Sequence, residues 1–145
     1  MDQMLKCARY DDLQVKRDCS FALANIVGSV EHQDPFVDAG GIETLVEVGL
    51  SPDARVQRDA SRALASLSLT TALRPALIAQ GALASVFSLA RSLDVTSQRY
   101  ATLALSNLCS APSGPDKVRV VKAGAVRPLL FLARRSFGGV GLHVL

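Results

Sequence analysis

Nine side chains recur in three trios along the chain: Arg17, Phe21 and Asn25; Arg58, Arg62 and Ser66; Arg99, Leu103 and Asn107. Within a trio the spacing is four, so on a helix the three line one side. From each trio to the next the spacing is 41. The chemistry on offer is recognition rather than bond making. Arg17, Arg58 and Arg99 stand in strict register, and a guanidinium fork binds carboxylates and carbonyls. Such a ladder suits either an acidic peptide or contacts inside the protein. Strict repetition favours the internal role, because a structural contact recurs in every unit and a partner's side chains need not. Arg62 interrupts the internal pattern and is the better candidate for specificity.

Residue types that make and break bonds lack the arrangement they need. His32 and His143 have no metal-ligand spacing and no nucleophile motif nearby. Ser106 and Ser136 lack the strand–turn context of a hydrolase elbow. Gly40-Gly41 and Gly138-Gly139 are too sparse for a phosphate-cradling loop. Cys7, Cys19 and Cys109 are far apart and form no Cys-x-x-Cys, and Cys19 fills the slot of Ala60 and Ala101 in the other copies, as a small core residue does. The expectation is a non-enzyme with no catalytic residue, no cofactor and no metal, in a reducing compartment, the cytoplasm or nucleus.

The elements that position the trios are three copies of one helix: Val15 to Ile26, Val56 to Leu67 and Ser97 to Leu108. A fixed period in the forties marks a helical solenoid, in which each unit buries its apolar face against the next. The expected core stripe of the long helix is Cys19, Ala22, Leu23 and Ile26; then Ala60, Ala63, Leu64 and Leu67; then Ala101, Ala104, Leu105 and Leu108. Small residues at two of the four slots allow close helix approach.

A second registered motif reads Val37-Asp38-Ala39-Gly40-Gly41-Ile42, Ile78-Ala79-Gln80-Gly81-Ala82-Leu83 and Val121-Lys122-Ala123-Gly124-Ala125-Val126. Glycine can turn a sharp corner through the left-handed region. Apolar residues at helical spacing follow: Ile42, Leu45 and Val46; Leu83, Val86 and Phe87; Val126, Leu129 and Leu130. Each unit is therefore a short helix, a Gly corner, a second helix, a break and a long third helix, with breaks at Ser51-Pro52-Asp53 and Ser92-Leu93-Asp94. The two residues extra to the period between Gly81 and Gly124 fall in the loop Ser110 to Pro115.

The bulk composition agrees. An apolar fraction of 49% with 20% charged residues argues against disorder. Only 5% aromatic residues and no Trp argue against a base-stacking platform, so no nucleic acid is expected as a partner. Charge is lopsided: 6 Lys/Arg face 11 Asp/Glu through residue 60, net −5, and 10 face 2 beyond it, net +8. The densest basic stretch is Lys117, Arg119, Lys122, Arg127, Arg134 and Arg135, which reads first as solvated helix charge and second as a patch for acidic peptides or an anionic membrane surface. No apolar run approaches the roughly 20 residues that span a bilayer, and the first residues lack the pattern of a signal peptide.

The two motifs in series, with the ending Leu105-Ser106-Asn107-Leu108, resemble the armadillo repeat over nearly the whole chain. In texture the chain is similar to cytoplasmic scaffolds such as the yeast vacuolar armadillo protein and plant armadillo proteins. The resemblance implies an all-α, right-handed armadillo-type α-solenoid of three-helix repeats, about three to three and a half units. These run approximately over 1–30 (partial), 34–70, 72–111 and 116–136 (partial), with a non-repeat tail at 137–145 and the whole expected to be a fragment of a longer array. It also implies a concave groove, lined by the third helices, that binds extended peptides. An Asn on each third helix hydrogen-bonds the peptide backbone in the family, since an amide offers both donor and acceptor. Asn25 and Asn107 match that position and Ser66 departs from it; the alternative for both is a brace within the repeat. Importin-α places a Trp one turn earlier to sandwich Lys side chains. Phe21, Arg62 and Leu103 stand there instead, so importin-type cargo binding is not expected.

The expected function is a non-catalytic protein–protein interaction scaffold for extended peptide segments, acidic ones being one option, with Arg17, Phe21, Asn25, Arg58, Arg62, Ser66, Arg99, Leu103 and Asn107 as the groove. Alternatives are the substrate-recognition repeats of a larger ubiquitin ligase, or a membrane-tethered adaptor that contacts the bilayer through the basic C-terminal half.

Overall fold

The computed structural model describes residues 1–110, 114–124, 126, 127, 130, 131, 133 and 134. Among them there is no strand. The helices are α1 (Asp2–Ala8), α2 (Leu13–Val27), α3 (Gln33–Asp38), α4 (Gly41–Gly49), α5 (Ala54–Leu69), α6 (Arg74–Ala79), α7 (Ala82–Ala90), α8 (Val95–Cys109) and α9 (Gly114–Lys122). Single 3₁₀ turns, Val30–His32 and Thr71–Leu73, lead into α3 and α6. The long helices pack in a row, α2 on α5 and α5 on α8. A second row runs α1, α4, α7, and each of these helices also packs on a long helix. The result is an all-α solenoid.

Local chemistry sets the limits of each element. The long helices start at Asp12, Asp53 and Asp94, 41 residues apart, whose carboxylates accept from the exposed N–H groups of the first turn. Two of the long helices end on registered side chains. Gln33 Nε2 donates to the Val27 carbonyl at 2.8 Å, and Arg74 Nε to the Ser68 carbonyl at 2.8 Å, pairing last-turn carbonyls that have no partner inside the helix. The corner glycines Gly40, Gly81 and Gly124 have φ of 83°, 86° and 89°, the left-handed turn that side-chain-bearing residues resist.

The core follows the expected stripe in two helices and shifts in the third. Ala60, Ala63, Leu64 and Leu67 are buried, as are Ala101, Ala104, Leu105 and Leu108. In α2 only Leu23 of the stripe is fully buried, together with Ser20, Ala24 and Val27, while Cys19, Ala22 and Ile26 are half-buried. The cause is position: α5 and α8 each follow a long helix that packs against them, whereas α2 follows only the seven-residue α1.

Two further expectations are corrected. Gly114 and Pro115 belong to the first turn of α9 rather than to the preceding loop. Proline fits there because its missing N–H would have no helical partner in any case. Val126 and Leu130, expected as part of the apolar stripe of a second helix, are exposed. Leu129, parts of the expected helix from 125 to 135 and the tail 137–145 lie outside the described residues.

Candidate functional site

The outward face of the row α2–α5–α8 carries the three trios. Their side chains fall into three lines that cross the helices, one residue per helix.

The arginine line is mostly tied down. Arg17 grips the Asp53 carboxylate with Nη2 at 2.6 Å and Nε at 3.2 Å, and Arg58 grips Asp94 with Nη2 at 2.6 Å and Nε at 3.3 Å. Each arginine thus binds the N-capping aspartate of the next long helix. Hydrogen bonds from Arg17, opposed by partial burial and aided by the Val56 N–H, lower the Asp53 pKa to about 2. Asp94 is lowered in the same way, first by Arg58 and then by Ser97. Arg99 is exposed and has no carboxylate partner among the described residues.

The middle line forms a cluster at the α2–α5 junction. The Arg62 guanidinium lies 5.5 Å from the centroid of the Phe21 ring, donates through Nη1 to Asn25 Oδ1 at 2.9 Å, and pairs through Nη2 with Asp59 Oδ1 at 3.2 Å. Phe21 remains 56% exposed, so the cation covers one part of an open ring. Leu103, the third member, is 42% exposed and free of such a cation.

In the third line both asparagines touch a neighbouring repeat. Asn25 accepts from Arg62, and Asn107 Nδ2 donates to Ser68 Oγ at 3.1 Å. Each amide keeps one end, Asn25 Nδ2 and Asn107 Oδ1, without a partner among the described residues. Ser66 is half-buried between them.

Sequence reasoning did not single out Asp53, Asp94, Asp59 or Ser68 as partners of these residues. A signal was present, because Asp12, Asp53 and Asp94 share the 41-residue register of the arginines. Elsewhere the chemistry is quiet. Burial raises the Cys19 and Cys109 thiols, with Cys7 adding to the shift at Cys19; this opposes formation of the reactive thiolate. No group of three or more His, Cys, Asp or Glu able to hold a metal occurs among the described residues. His143 and Ser136 lie outside them. No single described helix is long and apolar enough to cross a membrane. An open depression of about 840 Å³ lined by Pro52, Gln57, Phe87, Arg91 and Asp94 touches none of the nine residues.

No protein-family model and no curated protein matches the chain. Solved structures do. A computationally designed armadillo repeat protein for modular peptide recognition aligns over 90% of this chain and 56% of its own, at 22% identity and a TM-score of 0.83. This chain has the armadillo-repeat fold. A second designed armadillo protein, solved in complex with the peptide (KR)4, aligns over 90% of this chain and 55% of its own, at 23% identity and a TM-score of 0.80. An engineered protein aligns over 90% and 53%, at 33% identity and a TM-score of 0.80. The chain spans about half the length of these structures. In armadillo terms α2, α5 and α8 are the third helices of successive units, and the nine residues occupy their outward face.

Proposed function

We propose that this armadillo chain is a non-catalytic scaffold that binds an extended peptide segment across α2, α5 and α8, with the nine residues as its groove. The observation that carries the reading is the contrast between the two faces of the long helices. The buried stripe repeats closely from α5 to α8, while the outward positions change from Phe21 to Arg62 to Leu103 and from Asn25 to Ser66 to Asn107. Packing against an identical neighbour demands sameness; reading the different residues of a partner does not. The free ends of Asn25 and Asn107 supply one donor and one acceptor for peptide units, which bind backbone without regard to sequence. The peptide-binding designs of the same fold support the general class.

Arg99 favours an acidic residue in the bound segment near α8. Arg17 and Arg58 are paired with Asp53 and Asp94, whereas Arg99 has no carboxylate partner among the described residues. An array of immobilised extended peptides, probed with the wild-type chain and the Asn25→Ala/Asn107→Ala variant, tests the reading. The variant is expected to lose the peptides that the wild type selects. Selection unchanged by the double substitution would sink the groove.

A further inference from the structure

Phe21, Asn25 and Asp59 together form a cradle for a guanidinium group: a ring face below the cation, an amide oxygen at one N–H edge and a carboxylate at another. Ring quadrupole, neutral acceptor and anion are the three kinds of group that bind arginine. The cradle is already filled, and by the chain's own Arg62. Its guanidinium reaches from α5 to α2, so the amide oxygen of Asn25 and the centre of the Phe21 ring are both engaged from within the molecule.

The geometry points to Arg62 as the residue that sets the charge preference of this half of the groove: it occupies an arginine site intramolecularly and thereby turns away arginine-bearing peptides. This rests on the groove reading above and names what the groove refuses. The occupant is displaceable, since the Arg62 side chain is 28% exposed and Phe21 is itself an exposed residue. A peptide arginine entering the cradle must first expel Arg62. The expelled cation then stands beside the entering one, so both the lost contacts and the repulsion count against entry. The α5–α8 junction has no such latch, because Leu103 replaces the cation in the next register position.

Fluorescence anisotropy with a labelled (KR)4 octapeptide tests this on the full chain, with circular dichroism to check that each variant folds. Arg62→Ala is expected to tighten (KR)4 binding at least about tenfold over wild type, the equivalent of one good pairwise interaction. Arg99→Ala removes the same charge from a neighbouring helix without opening the cradle, and is expected to give less than about a third of that gain. Adding Phe21→Leu to Arg62→Ala is expected to erase the gain. Equal affinity of wild type and Arg62→Ala overturns the latch, and so does an equal gain from Arg99→Ala. If the Asn25→Ala/Asn107→Ala variant still loses its array peptides under either result, the groove stands and only the latch has failed; if it does not, both have failed.

Discussion

Arg17 and Asp53 are 36 residues apart and meet in a bidentate ion pair, with Nη2 and Nε of the arginine at 2.6 and 3.2 Å from one carboxylate oxygen and Nε at 3.2 Å from the other. The same carboxylate caps α5 by accepting from the Arg55 and Val56 N–H groups. One side chain therefore starts a helix and ties it to the previous one. Arg58 and Asp94 repeat the arrangement at α8, so the link propagates along the solenoid.

Acid should weaken this link in a defined window. The Asp53 pKa is about 2 in the folded chain, below the roughly 3.9 of a free aspartate. A lowered folded pKa means that the folded state binds fewer protons than the unfolded one, so the contribution is fully present above about pH 4 and is lost as pH falls to about 2. Asp94 is shifted the same way and adds to the slope. Thermal melts between pH 7 and pH 2 should show a steady midpoint down to about pH 4 and a fall below it. Asp53→Asn keeps a good helix cap but gives up the charge. It should lower the midpoint at pH 7 by a few degrees and flatten part of the acid dependence. An unaltered pH profile in Asp53→Asn would show that the pair contributes nothing.

Three alanines in strict register should respond differently to the same substitution. Ala63 and Ala104 are fully buried, whereas Ala22 is half-buried. Glutamate at 63 or 104 places an unpaired carboxylate in the core and should cost at least about 3 kcal/mol, enough to unfold a marginal array. Glutamate at 22 can reach water and should cost under about 1 kcal/mol. Urea melts of the three variants read the difference directly; equal losses would mean that α2 is as deeply packed as α5.

That contrast marks where sequence was sufficient. The three helices, the corners at Gly40 and Gly81 and the buried stripes of α5 and α8 all follow from period and composition, because each depends on interactions that recur within a unit. The burial of Ala22 does not, because it depends on what lies beside α2. The Phe21–Arg62–Asn25 cluster is likewise a property of two helices in contact, joining positions 41 and 37 residues apart. The arginine–aspartate links were half visible: both partners recur every 41 residues, but the aspartates read as breaks between helices rather than as acceptors. The buried hydroxyls of Ser20 and Ser61 look polar in sequence and prove compatible with the core because they donate to the Lys16 and Arg58 carbonyls of their own helices.

The corner glycines differ from other tight positions in having room. A Cβ at Gly40 or Gly81 would meet nothing within 4 Å, so any penalty there is conformational alone. With φ of 86° at Gly81, Gly81→Ala should cost about 1–2 kcal/mol, and Gly81→Asn less, because asparagine tolerates the left-handed region. Equilibrium urea unfolding of the two variants ranks them; an alanine no worse than asparagine would show that the corner relaxes away from its left-handed turn.

Gly49 and Ser85 form the opposite case, a crossing of α4 and α7 with no spare space. A Cβ on Gly49 would lie 2.1 Å from Ser85 Oγ and 3.5 Å from Ser85 Cβ. The hydroxyl itself is fully buried and makes no hydrogen bond among the described residues. Removing an unsatisfied buried polar atom should help, so Ser85→Ala is expected to stabilise by about 1 kcal/mol. Gly49→Ala alone must force the hydroxyl aside and should destabilise by about 1–3 kcal/mol. In the double variant the two methyl carbons stand at ordinary contact distance, so most of the Gly49→Ala cost should vanish. The coupling between the two sites, read from a double-mutant cycle of urea unfolding, is therefore expected to be favourable by about 1 kcal/mol or more. Strict additivity would mean that the Ser85 hydroxyl rotates away freely and that the crossing is not set by this contact.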